Sequence, residues 1–393
     1  NGNIYAFSTL TASSEYSMVR PIFMSKKWLD NLNLEEPKTL EDFYNVLKAF
    51  KEQDANGNGD PTDEIPMGRA DTAFWTDMPI LWSFGIYGRS EAFYLMPQDG
   101  NKIVLGDATE NYKEYLRFMH KLYEEELMNV DAFVTTYSEM DAKHQNDKVG
   151  YWQTWSPLPG EGSDWIVVSS FTSEYNPVRT NVIYNRADNA YMLAASADSE
   201  HPEEIARFVD YLFTYEGAIS AQSGYEGVSF DFVEKNGMLQ IDYKPYAEAA
   251  GFDNTNDFYA QKVIAANVFP IYQVDRKGGL ADVMKEMTWE ELHSDELYDV
   301  GGTNLLKEIA IREEGVQVVS LYPNVKYTAE ELETRSTLYT DVYNYLVTAK
   351  VQFITGETDI DAGWDAYLAE LDKIGLERLL EIEQAAYDRY LGN

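Results

Sequence analysis

Thr39-Leu40-Glu41-Asp42 begins a helical pattern, and the acidic segment Asp54-Ala55-Asn56-Gly57-Asn58-Gly59-Asp60-Pro61-Thr62-Asp63-Glu64 follows directly after it. Apolar residues recur in the pattern at steps of three and four, at Leu40, Phe43, Leu47 and Phe50, which is the spacing of one helix face. The Thr39 hydroxyl and the Asp42 carboxylate can satisfy the free amides of the first turn. The sequence therefore predicts a capped helix that leads into an oxygen-rich loop.

The loop at residues 54–64 predicts a calcium site. Ca²⁺ takes six to eight oxygen ligands at about 2.3–2.6 Å, and oxygens at loop positions 1, 3 and 5 converge when a glycine at position 6 permits a sharp turn. Asp54, Asn56, Asn58 and Gly59 hold these positions, although the closing acids stand at positions 10 and 11 instead of 12. The alternative is a solvated surface turn, which Asn, Gly and Asp also form. The combination favours calcium in a structural role.

Strand and helix patterns are mixed along the whole chain. Short β-rich apolar runs lie at residues 4–7, 148–153, 165–171 and 190–195, bounded by turn-forming residues. Helical patterns separate them, and from residue 328 onward the chain is mainly helical with breaks at Gly356 and Gly375. This order predicts an α/β chain of two lobes instead of a helix bundle or a β-sandwich.

Composition excludes several classes of protein. The 393 residues include 31 Lys and Arg against 67 Asp and Glu, a net charge of −36 that would repel a nucleic acid. The absence of cysteine excludes disulfides and thiolate metal sites. No apolar run approaches the roughly 18 residues of a membrane span, and no phosphate loop, His-Glu-x-x-His or Gly-x-Ser-x-Gly motif occurs.

Aromatic residues form the predicted ligand surface. The chain contains 29 Tyr, 18 Phe and 8 Trp, and flat rings beside polar groups suit the apolar faces of sugars. An aromatic residue more often lies in the hydrophobic core, and Trp364 is predicted to do so. Pro157 soon after Trp152 indicates a loop at a strand end. The candidates are Tyr151, Trp152, Trp155, Phe74, Trp75 and Trp82, with Asp71, Asp77, Asn185 and Arg186 as polar neighbours.

Four stretches together resemble one protein family. They are Lys27 to Leu32 with the capped helix and loop that follow, Tyr215-Glu216-Gly217 with Gly224-Tyr225-Glu226-Gly227-Val228, Tyr322-Pro323 with Thr328-x-Glu330-Glu331, and Phe353-Ile354-Thr355-Gly356 through Ile374-Gly375-Leu376. In these stretches the chain resembles the family 1 extracellular solute-binding proteins of bacterial sugar importers, especially their Gram-positive lipoprotein branch. The likeness covers essentially the whole chain.

The resemblance implies an α/β, two-lobed, periplasmic-binding-protein-like type II fold with a hinge. It also implies that the first lobe is incomplete and lacks roughly its first hundred residues. Residues 1–12 are assigned to the end of the N-terminal lobe and the hinge, and residues 13–188 to the C-terminal lobe with the calcium loop 54–64. Residues 189–228 are assigned to a return to the N-terminal lobe, and residues 229–393 mainly to the C-terminal lobe and a helical tail.

Site residues also follow from the resemblance. The implied calcium ligands are Asp54, Asn56, Asn58, Asp60, Asp63 and Glu64, with Asp60 using its carbonyl. The expected ligand-binding residues, taken from the aromatic surface and from the family segments, are Trp75, Trp152, Trp155, Tyr151, Tyr225, Glu226, Asp71 and Arg186.

The expected function is capture without catalysis. The resemblance implies a monomeric extracellular protein, lipid-anchored in its full-length form, that binds an oligosaccharide between two lobes and delivers it to the permease subunits of an ABC importer. The net negative charge favours a neutral glycan. Two alternatives stay open: a glycoside hydrolase or polysaccharide lyase acting through paired carboxylates, and a noncatalytic glycan-adhesion module.

Overall fold

The chain divides into two compact units. A computed structural model describes residues 7–8, 10–11, 22–70, 74–87, 94–98, 101–153, 164–183, 192–196, 198–235, 238–252, 258, 262, 272–273, 288, 313–320 and 322–392. Unit 1 consists of residues 1–17 and 184–305, and unit 2 consists of residues 18–183 and 306–393. The sequence-based division differs from this one mainly at residues 229–305, which it assigned to the lobe of the calcium loop and which lie in unit 1.

The described strands are short and lie between residues 7 and 320. They are β1 Phe7–Ser8, β2 Leu10–Thr11, β3 Ile22–Ser25, β4 Ile65–Met67, β5 Leu95–Gln98, β6 Lys102–Leu105, β7 Val149–Gln153, β8 Trp165–Val167, β9 Arg179–Ile183, β10 Met192–Leu193, β11 Asp231–Lys235, β12 Met238–Asp242, β13 Tyr272–Gln273 and β14 Val316–Ser320.

Helices alternate with these strands and dominate the end of the chain. They are α1 Lys26–Asn31, α2 Leu40–Glu52, α3 Met78–Ser83, α4 Glu110–Glu124, α5 Tyr137–Gln145, α6 Pro202–Leu212, α7 Tyr215–Ser223, α8 Lys244–Ala249, α9 Ala329–Thr355, α10 Ile360–Ile374 and α11 Leu376–Leu391. Two 3₁₀ helices, Phe74–Asp77 and Gly106–Ala108, precede α3 and α4. No helix within these ranges is long and apolar enough to span a membrane.

A four-stranded sheet forms the centre of unit 2. Its strand order is β4-β7-β3-β8, with β7 parallel to β4 and β3 antiparallel to both of its neighbours. Every residue of β3 and of β7 is buried, so both faces of the inner strands are covered. Such strands carry continuous apolar runs instead of an alternating pattern.

Helices cover this sheet and supply most of the core. The predicted capped helix is confirmed as α2, with Thr39 and Asp42 forming a reciprocal capping box. Its Phe43 stacks on Phe171 at 4.5 Å between ring centroids and meets Tyr151 edge-on at 5.0 Å. α9 packs against α4, α10 and α11. The predicted core position of Trp364 is confirmed by its 2% exposure.

In its described residues, unit 1 consists of two-stranded ribbons and the helices α6, α7 and α8. β1 pairs antiparallel with β10, β2 pairs parallel with β13, and β11 forms an antiparallel pair with β12. α6 packs against α7 through Leu212 and Ala221. The predicted mixture of strands and helices is therefore present in both units.

Candidate functional site

The acidic loop lies between α2 and β4 in unit 2. Its first half is a tight turn, since Gly57 and Gly59 have φ values of 76° and 90°, a region of backbone space that favours glycine. The Asp54 carboxylate accepts hydrogen bonds from the backbone N–H of Asn58 at 3.0 Å and of Gly59 at 2.9 Å. The predicted sharp turn at Gly59 is confirmed.

Three of the predicted calcium ligands converge within the loop. The side-chain amides of Asn56 and Asn58 both donate to Oδ1 of Asp63, at 3.1 and 3.2 Å. The Lys148 ammonium lies 3.0 Å from Asp63 Oδ2. Burial alone would raise the pKa of Asp63, but these donors and the lysine charge hold it below its ordinary value. Asp63 is therefore an ionised carboxylate at the point where the loop side chains meet.

Glu64 contributes a buried acceptor to the same loop. Its Oε1 accepts the backbone N–H of Ala55 at 3.0 Å, whereas its Oε2 is buried without a hydrogen-bond partner. Burial raises the pKa of Glu64 above its ordinary value. A buried carboxylate oxygen without a donor is the kind of group that a cation would satisfy.

The donor set of the loop fits a hard cation. Acidic and histidine side chains alone form no group of three or more that could hold a metal anywhere in the described part of the chain. The loop set also includes the amides of Asn56 and Asn58, which present oxygen instead of nitrogen when they turn over. Carboxylate and amide oxygens are the ligands that Ca²⁺ prefers, so these residues could hold the ion.

Two of the predicted ligand residues are buried instead of exposed. Tyr151 and Trp152 lie inside β7 with 0% exposure. The Tyr151 hydroxyl donates to the backbone carbonyl of Thr76 at 3.0 Å, and the Trp152 ring lies 5.4 Å from that of Tyr137. The predicted position of Trp152 in a loop at a cleft is wrong, because β7 is an inner strand whose two faces are both covered. Trp82 and Asp77, also proposed for this surface, are buried as well.

Other predicted residues fall outside the described ranges. Asp71, Trp155, Asn185 and Arg186 lie there, and the side chains of Phe74 and Trp75 do as well. The backbone of Trp75 belongs to the 3₁₀ helix Phe74–Asp77. The role of these residues stays a prediction.

Tyr225 and Glu226 lie on the surface of unit 1, as a ligand-contacting segment requires. Tyr225 is 61% exposed, and its backbone N–H donates to Ser229 Oγ at 2.9 Å. Gly224 and Gly227 flank the pair with φ values of 81° and 75°, which place a compact turn after α7. An open phenol ring beside a carboxylate can stack on a sugar and accept hydrogen bonds from its hydroxyls.

The model of the bacterial extracellular solute-binding protein family matches residues 4–219, more than half of the chain. The chain belongs to this family. A solved structure of Streptococcus pneumoniae FusA, an EF-hand mutant in complex with fructo-nystose, superposes with a TM-score of 0.72 and 22% identity over 99% of this chain and 76% of that one. The predicted periplasmic-binding-protein-like α/β fold of the solute-binding protein is thereby confirmed.

Two relatives illustrate its similarity in sequence. The fructooligosaccharide ABC transporter substrate-binding protein FusA of S. pneumoniae serotype 4 is 26% identical over 418 residues, which span 100% of this chain and 71% of FusA. Lipoprotein LipO of Bacillus subtilis is 39% identical over 127 residues, 31% of this chain and 23% of LipO. FusA is described as a substrate-binding protein, so the hydrolase or lyase alternative is not favoured.

Sequence reasoning missed a buried charge cluster in unit 2 of this solute-binding protein. Arg69, Asp77 and Lys350 are each at most 1% exposed, and both cations contact the Asp77 carboxylate. Tyr115 donates its hydroxyl to Asp77 Oδ2 at 3.1 Å. The only sequence signal was Lys350 on the apolar face of a helix, where a charged residue is rarely found unless it is paired.

Proposed function

We propose that this protein captures an oligosaccharide outside the cell and delivers it to the permease subunits of an ABC importer, without catalysis. The observation that carries the proposal is the similarity of the entire chain to the fructooligosaccharide-binding protein FusA, together with membership of the solute-binding family. The exposed Tyr225 and Glu226 support it from the structure, because they offer a ring and a carboxylate on one turn. Asp71, Trp75, Trp155 and Arg186 are proposed as further ligand contacts.

The test is calorimetry with a panel of oligosaccharides that includes kestose, nystose, maltotriose and trigalacturonate. Binding of a neutral member is expected, because the net charge of −36 disfavours an acidic chain. Tyr225→Ala should weaken that binding by about tenfold. Tyr390→Ala is the control: it removes a partly exposed tyrosine of unit 2 and should not change the affinity. Chromatography of the incubated sugars should show no shortened products. Accumulation of such products, or no binding across the panel, would overturn the proposal.

Calcium binding at the loop is proposed as a structural element of this function. Its ligands would be Asp54, Asn56, Asn58, Asp60, Asp63 and Glu64, and its support is the convergence on Asp63 together with the buried, unpartnered Oε2 of Glu64. An ion that binds only the folded chain stabilises it by about 2.7 kcal/mol at a concentration 100 times its Kd.

Chelation tests the calcium proposal. EGTA should lower the melting temperature of the wild-type protein, and Ca²⁺ should restore it while Mg²⁺ should not. Asp63→Asn should abolish the Ca²⁺ response, and Asp341→Asn, at an exposed position of α9, should keep it. A wild-type melting temperature that is the same in EGTA and in Ca²⁺ would refute the calcium proposal.

A lipid anchor and a monomeric state complete the proposal. The extracellular family and the partial similarity to a lipoprotein support anchoring of the full-length gene product. Metabolic labelling of the producing cell with an alkyne fatty acid should mark that product. Light scattering of the purified chain should give a mass close to 44.9 kDa, and twice that value would refute the monomer.

A further inference from the structure

Lys148 places a positive charge at the acidic loop of residues 54–64. Its ammonium lies 3.0 Å from Asp63 Oδ2, and the two side chains are 43% and 19% exposed. Among the described residues, Asp63 is the only carboxylate with which Lys148 forms an ion pair. Asp63 is also the residue on which the side-chain amides of Asn56 and Asn58 converge. The lysine therefore lies beside the carboxylate at which the proposed calcium ligands meet.

The backbone holds Lys148 next to this loop. Its carbonyl accepts the N–H of Ile65 at 2.8 Å, and its own N–H donates to the Lys143 carbonyl at 3.1 Å. The next residue, Val149, pairs with Ile65 in the parallel strands β7 and β4. Ile65 follows Asp63 by two residues, so strand pairing brings the lysine and the carboxylate onto neighbouring backbones. The ammonium is thus tethered beside the loop, where its effective concentration is high.

Groups of the chain itself satisfy the Asp63 carboxylate. Its Oδ1 accepts both loop amides, and its Oδ2 accepts the Asn58 amide at 3.1 Å and faces Lys148. A calcium ion binds through oxygens, and the affinity of a calcium site depends on the charge of its ligands. Lys148 offsets the charge of one loop carboxylate, and like charges repel each other. Binding of a cation at Asp63 therefore has to displace the lysine.

We propose that Lys148 is a tethered competitor of the calcium ion, which weakens calcium binding and leaves Asp63 when the ion binds. The inference rests on the proposed calcium site. It gives Lys148 two opposite effects on stability: its ion pair supports the folded loop in the absence of calcium, and its charge opposes the calcium-bound loop. The charge at position 148 therefore sets the calcium concentration at which the loop becomes loaded.

Lys148→Met tests this role, because it removes the ammonium and keeps a long unbranched side chain. Lys143→Met is the matched control. Lys143 lines the same surface cavity as Lys148 and Asp63, but its ammonium pairs with Asp131 at 3.5 Å instead of with a loop residue. Both variants lose one positive charge near the loop, so their comparison separates competition at Asp63 from a general change in net charge.

Two quantities are compared in both variants and the wild type, each first treated with EGTA and then desalted. Calorimetric titration with Ca²⁺ gives the Kd, over the range of protein calcium sites from about 10⁻⁸ to 10⁻³ M. Thermal unfolding in EGTA and in saturating Ca²⁺ gives the increase in melting temperature that the ion causes.

Lys148→Met should bind Ca²⁺ about three- to tenfold more tightly than the wild type, because it loses both the ion pair that the ion must break and the repulsion between the two cations. Its melting temperature in EGTA should be lower than that of the wild type, and its increase on addition of Ca²⁺ should be larger. Lys143→Met should keep the wild-type Kd within about twofold, because a charge that does not contact the loop is screened.

Equal Kd values for Lys148→Met and the wild type would overturn the competitor role and leave the calcium proposal intact. An equal gain in affinity in both variants would also overturn it, because a general charge effect would then explain the result. If Lys148→Met binds Ca²⁺ and the wild type does not, the competition is supported and the calcium proposal fails for the wild-type chain. If none of the three proteins binds Ca²⁺, both proposals are refuted.

Discussion

We expect the main effect of Trp152→Ala to be a loss of folding stability and not a loss of affinity for sugar. The indole is 0% exposed and packs with Ala70, Met140 and Val149. Its Nε1–H lies 3.4 Å from Asp141 Oδ1, which is too long to contribute much. Replacing a buried Trp by Ala removes the transfer free energy of the ring and leaves a cavity, a cost of about 3–5 kcal/mol.

The loss translates into a large change in melting temperature. Unit 2 has about 250 residues, a size at which 1 kcal/mol shifts the melting temperature by about 2–4 °C, so a decrease of about 6–20 °C is expected. Differential scanning calorimetry measures it, with the exposed Tyr225→Ala as a control that should melt within about 2 °C of wild type. A Trp152→Ala protein that melts like the wild type but has lost its affinity for sugar would refute the core assignment.

Two further predictions concern stability. Gly150→Ala should cost about 1–3 kcal/mol, because its new Cβ would lie 2.7 Å from the rings of Phe50 and Trp28; an unchanged urea midpoint would contradict this packing. Acidification should act through His144, which is buried beside Trp165. Burial lowers its pKa from 6.5 to about 4 although two nearby aspartates oppose the shift, so the unfolded chain takes up the proton first. The free energy of unfolding should therefore decrease by about 3 kcal/mol as the pH is lowered from 6.5 to 4. His144→Phe should flatten that part of the curve in urea titrations, and identical curves for both proteins would exclude His144 as the cause.

Helix starts and breaks that depend only on neighbouring residues were predicted correctly from the sequence. The capping pair Thr39 and Asp42 marks the start of α2 in the sequence, and the same pair forms the capping box in the structure. Gly375 predicted a break, and with φ of 110° it separates α10 from α11. In these cases neighbouring residues alone determine the backbone, so the sequence contains the necessary information.

The position of Trp152 was missed because it depends on what covers the strand. Pro157 suggested a loop, but the run from Val149 to Trp152 shows no alternation of apolar and polar residues, which is the pattern of a strand buried on both faces. Reading that run as one inner strand would have placed Tyr151 and Trp152 in the core. The aromatic character of the two residues is equally consistent with a core and with a sugar site.

The buried charges could not be found from spacing. Arg69 and Asp77 are eight residues apart, whereas Lys350 approaches them from a helix near the other end of the chain. No periodic pattern connects such positions. Only the tertiary fold brings the two cations to one carboxylate.

The composition of unit 2 from two distant parts of the chain affects its biogenesis. Residues 18–183 emerge from the ribosome long before residues 306–393, which supply α9 to α11. At about 5–20 residues per second, the early part waits on the order of tens of seconds for the helices that cover it. During that interval the apolar faces that these helices later cover are open to chaperones.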